Sequence, residues 1–125
     1  MKLDREHAWT TIVGWYGLPG AAEELLRRQQ EEGLDVVWHL FQRYLESELG
    51  VRLSEAEQRE AQNAVHLWRE QVIHTVRELR RALKTMPGLE SVDDSRHAWR
   101  ESLKGMEVKA ERVEFMSLCN WFEKR

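Results

Sequence analysis

Apolar residues recur every three or four positions along most of this chain, and no run alternates polar and apolar side chains with β-branched enrichment. The pattern predicts helices throughout and no strands. A first helix is expected over about Asp4 to Tyr16, with Ala8, Trp9, Ile12, Val13 and Tyr16 on one broad face. Gly17-Leu18-Pro19-Gly20 breaks it, because proline cannot continue a helix but is pre-set to begin the next. A short second helix is expected over about Pro19 to Glu32, with Ala22, Leu25 and Leu26 inward and Gly33 as its left-handed stop. Asp35 can accept the free amide hydrogens of a third helix, about Val36 to Leu49. That helix should bury Val37, Trp38, Phe41, Leu45 and Leu49, and Gly50 ends it.

Ser54 and Glu57 have the spacing of a capping box, so a fourth helix should begin there and persist to about Met86. Its apolar positions are Ala61, Val65, Trp68, Val72, Val76, Leu79, Leu83 and Met86. About thirty residues exceed an ordinary globular helix, which leaves one long rod or two helices broken near Trp68. Pro87-Gly88 turns the chain, and Asp93 or Asp94 is expected to cap a fifth helix. The fifth carries Trp99, Leu103, Met106, Ala110, Val113, Met116 and Phe122 on its apolar side. Two long helices joined by a short turn must pack antiparallel. The expected fold is therefore all-α: an antiparallel long-helix hairpin with three shorter N-terminal helices packed on it, about five helices in a single domain over residues 1–125.

Composition narrows the function classes. Hydrophobic residues at 42% and charged residues at 33% suit a helix-rich globular chain and exclude a disordered tail. Lysine and arginine number 19 against 22 acidic residues, a net charge of −3, which argues against a general nucleic-acid binder. The single cysteine, Cys119, can form no internal disulfide or multi-cysteine zinc site and is expected to be a packed thiol. The start, MKLDREHAW, lacks the apolar run of a signal peptide, and no stretch approaches the ~18 apolar residues of a membrane span. A cytosolic protein with no membrane partner is the expectation. No nucleophile–base arrangement, glycine-rich phosphate loop or CxxC motif is present, so neither catalysis nor a cofactor is implied.

The charges are unevenly placed. Residues 61–86 hold five basic and two acidic side chains, +3 in a chain that is −3 overall. Arg77, Arg80, Arg81 and Lys84 follow i, i+3, i+4, i+7 spacing and share a face beside the core seam. That stripe is either a solvated helix face or a docking surface for an acidic partner or a small anion. Glu107, Glu111 and Glu114 make an acidic stripe on the fifth helix. Pivoting the hairpin about its turn sets Arg80 level with Trp99, which leaves Glu107 about eight residues, or ~12 Å, out of reach. The basic stripe is then expected to find its carboxylates elsewhere, on Glu101, on the first three helices or on another molecule.

The same register gathers Glu107 and Glu111 near Trp68, Arg69 and His74. Paired helical carboxylates with a histidine would suit a ligand or metal site inside a helix bundle. Those sites use a Glu-x-x-His pair, however, and here Ala110 and Glu114 stand at the histidine positions, so a buried salt-bridge network with Arg69 or Arg112 explains the same residues. Of six tryptophans, Trp9, Trp38, Trp68 and Trp99 fall on expected core stripes, while Trp15 and Trp121 lie toward stripe edges.

Several blocks resemble a known family. Trp15-Tyr16-Gly17-Leu18-Pro19-Gly20 and Gln29…Gly33-Leu34-Asp35-Val36 are similar to the "LYxRPGV…LQDxxGxDVNxLL" core of small bacterial proteins grouped as domain-of-unknown-function family 2390. Trp68-Arg69-Glu70-Gln71-Val72-Ile73 with Val76 to Lys84 resembles its "W…VV…LRxLRRxLK" segment, and Lys104…Glu107…Ala110 to Glu114 its "KxxELxAERxE" close. The resemblance spans about residues 9–115. Where that family tends to carry asparagine after Asp-Val this chain has Val37, so no role of that amide carries over. The resemblance implies an all-helical bacterial cytosolic protein, brings no established activity, and draws Trp68, Arg80, Arg81, Lys84, Glu107 and Glu111 into one constellation.

The leading expectation is a non-enzymatic interaction module that docks an acidic protein surface through Arg77, Arg80, Arg81 and Lys84, or through the exposed edge of the short helices. The rival is a ligand- or metal-binding bundle using Trp68, Arg69, His74, Glu107 and Glu111. A seam only partly covered by the short helices would favour a homodimer.

Overall fold

The computed structural model describes residues 1–125 and is helical throughout, without a strand. Three shorter helices, α1 (Arg5–Tyr16), α2 (Ala21–Glu32) and α3 (Val36–Leu49), precede two long ones. The first long helix, 31 residues, comprises α4 (Glu55–Trp68), a π-helical turn (Arg69–Ile73) and α5 (His74–Thr85). The second, 35 residues, begins with a 3₁₀ turn (Glu90–Val92) and continues as α6 (Asp93–Lys124). No helix is long and apolar enough to cross a membrane.

The starts and stops follow from local chemistry. Asp4 accepts from the His7 amide and Asp35 from the Trp38 amide, each satisfying a donor that the first helical turn leaves free. Ser54 and Glu57 cap reciprocally: the Glu57 amide donates to the Ser54 hydroxyl and the Ser54 amide to the Glu57 carboxylate. Gly33 and Gly50 end α2 and α3 at φ of 69° and 64°, a region that costs other residues a Cβ clash.

Two starts differ from expectation. α2 begins at Ala21 rather than Pro19, because Gly20 takes φ 79° and the Ala21 amide donates back to Leu18, which puts Pro19 in the turn. Asp93 does not cap α6: it is already helical, because the 3₁₀ turn runs straight into it, and its carboxylate binds Arg96 at 2.6 Å.

The chain forms two compact units, residues 1–64 with 115–125, and residues 65–114. The core of the first holds Ala8, Ile12, Phe41, Leu45, Leu53, Ala61, Phe115, Leu118, Cys119 and Phe122. Phe115 is its centre, edge-on to Phe41 at 5.9 Å between centroids and 5.5 Å from Trp9. Ion pairs tie the C-terminal turns of α6 into this unit, Arg5 to Glu123 at 2.7 Å and Arg125 to Glu57. Burial pushes the Cys119 thiol up to about 12. Val13, expected inside, is half exposed.

The second unit is the antiparallel hairpin, and its core departs from the expected stripes. On α6 the buried positions are Leu103, Glu107, Ala110 and Glu114, whereas Trp99, Met106 and Val113 are 53, 55 and 44% exposed. On the other helix Ile73 and Leu83 are buried, while Leu79 and Met86 are exposed. The cause is the π-helical turn. The His74 amide donates to the Arg69 carbonyl, five residues back, so one extra residue enters the turn. That residue moves the inward phase on by one: Ile73 replaces Val72, Arg77 replaces Val76, and Arg80 replaces Leu79. The break expected near Trp68 is thus a change of phase within one continuous helix.

Candidate functional site

Re-phasing by the π-helical turn brings the arginines of α5 to the seam of the hairpin. Arg77 Nε donates to Glu107 Oε1 at 2.9 Å, and Arg80 Nε donates to Oε2 at 2.8 Å. Both guanidiniums are mostly covered, with 14 and 20% of their side chains exposed, and Glu107 keeps only 10%. Burial pushes the Glu107 carboxyl upward; the hydrogen bonds from Arg80 and Arg77, with their charges, outweigh it and hold the group below the ordinary carboxylate range.

This contact overturns the expectation that Arg80 lies beyond reach of Glu107. In a helix each Cα–Cβ bond leans toward the N-terminus. Across an antiparallel pair, the arginines of α5 and the glutamate of α6 therefore lean toward one another along the axis. Long side chains then close an offset that levels drawn between Cα atoms leave open.

One heptad further along α6, Glu114 repeats the arrangement. It is 1% exposed and accepts from Arg69 Nη2 at 3.3 Å. Trp68 Nε1 donates to the Ala110 carbonyl at 2.8 Å, which fixes the indole across the seam between the two ion pairs. Glu114 was missed as a functional position because hydrophobic periodicity scores a glutamate as outward. Its signal was the seven-residue spacing from Glu107 together with an arginine on the facing helix.

Of the expected site residues, the structure joins Arg77 and Arg80 to Glu107 and places Trp68 and Arg69 one heptad away. Glu111 lies half-buried on the same helix. Arg81 and Lys84 are exposed and take no part in the clamp. His74 does not join the carboxylates; its Nδ1 lies 3.3 Å from Glu70 Oε2 on its own helix. No three His, Cys, Asp or Glu side chains come together in a way that could hold a metal ion, so the grouping of His74, Glu107 and Glu111 into a metal site is corrected. A carboxylate held between two guanidiniums has its lone pairs committed, and it serves the hairpin as a structural pair.

The polar seam has a consequence for the surface. Each residue that immediately precedes a seam position is turned by 100° from it. On antiparallel right-handed helices these two turns lead to the same side. Leu79, Trp99, Met106 and Val113, which precede Arg80, Arg100, Glu107 and Glu114, consequently line one side of the hairpin, 42 to 55% exposed.

A family described as "Protein of unknown function (DUF2390)" matches residues 7–118 of the chain. No curated protein and no solved structure matches it.

Proposed function

The chain belongs to this family of proteins of unknown function, and from that premise we propose that it acts by binding a protein partner rather than by catalysis. The observation that carries the reading is the apolar row of Leu79, Trp99, Met106 and Val113 on one side of the hairpin. Four large side chains at these exposures leave roughly 400 Å² of apolar surface on that side, the size at which a patch on a single chain is commonly a contact site. Trp99 is the largest of them and the anchor, since a tryptophan gives up the most area for the least ordering.

The docking surface therefore shifts from the basic stripe to the apolar side. Arg77 and Arg80 have their charges met by Glu107, which leaves Arg81 and Lys84 as isolated exposed cations. An acidic partner would have little to hold.

Affinity capture with the wild-type chain, Met106→Glu and Val108→Glu tests the reading. Val108 is 55% exposed and immediately follows Glu107, which turns it to the opposite side of the hairpin. Proteins retained by the wild type and by Val108→Glu should be missing with Met106→Glu, while the helical circular dichroism of all three agrees. Capture of the same proteins by all three variants would contradict the proposal.

A further inference from the structure

We draw no further inference here: the strongest candidate, the apolar surface patch of Leu79, Trp99, Met106 and Val113 on one side of the hairpin, belongs to the docking surface already described, and nothing in the structure shows what covers it.

Discussion

Arg80 and Glu107 meet across the hairpin, Nε to Oε2, at 2.8 Å. Glu107 accepts from Arg77 as well, so a single carboxylate fastens two successive turns of α5. The seam of this unit is therefore partly ionic, and the apolar residues that would ordinarily fill it lie to one side.

Replacing Glu107 with Gln keeps the shape but leaves two largely covered guanidiniums without a charge to meet. Removing one partner of a buried pair is far costlier than the net worth of the pair. The expected loss is about 3 kcal/mol, seen as a fall of roughly 10 °C in Tm. Substituting exposed Arg81 with Gln should change Tm by no more than ~2 °C. Thermal melts of both variants provide the comparison.

The same contact predicts a pH dependence. The Glu107 carboxyl is held below its ordinary value of 4.5, so its contribution is present above that value and is lost as pH falls through the lower folded one. The difference in Tm between wild type and Glu107→Gln should accordingly be constant near neutrality and shrink in acid below pH 4.5. Melts of the two proteins from neutral to acid pH measure this.

The π-helical turn gives a third expectation. Gln71 is exposed within it, and deleting one residue there converts the turn to α-helix while Ile73, Arg77 and Arg80 stay in inward phase. Deleting exposed Glu78, inside regular α5, rotates Arg80 and Leu83 away from the seam by 100°. Circular dichroism melts should show the Gln71 deletion retaining a cooperative transition and the Glu78 deletion losing most of its stability.

Cys119 supplies a fourth. It is fully buried and its thiol is pushed up to about 12, so the native protein should resist thiol reagents at neutral pH. Labelling should follow unfolding and proceed at full rate in denaturant. Rapid labelling of the folded chain would contradict the packing of the first unit.

The sequence shows the helix ends more clearly than it shows the inward faces. Asp35, Ser54 with Glu57, Gly33 and Gly50 are legible because capping is a local contract between a side chain and the nearest amides or carbonyls. The inward face of α6 is not legible in the same way. Met106 and Val113 carry the apolar signal at helical spacing, yet Glu107 and Glu114 take the interior because the facing arginines neutralise them. Periodicity sees carbon; it does not see a charge already paired on another helix. The phase change at residues 69–73 compounded this, since an extra residue in a turn leaves no mark in composition. Phe115 and Leu118 carry no expected core role because the stripe through Val113 and Met116 runs one position out of step, whereas Cys119 is the packed thiol expected.

The ionic seam is tested most directly by a double-mutant cycle at positions 80 and 107, with Arg80→Met, Glu107→Met and both together unfolded in urea. The account predicts a coupling of about 1–3 kcal/mol, the double variant being less unstable than the two single losses added. Additive losses, with no coupling beyond ~0.3 kcal/mol, would show that the two side chains do not interact and that Glu107 does not hold the hairpin closed.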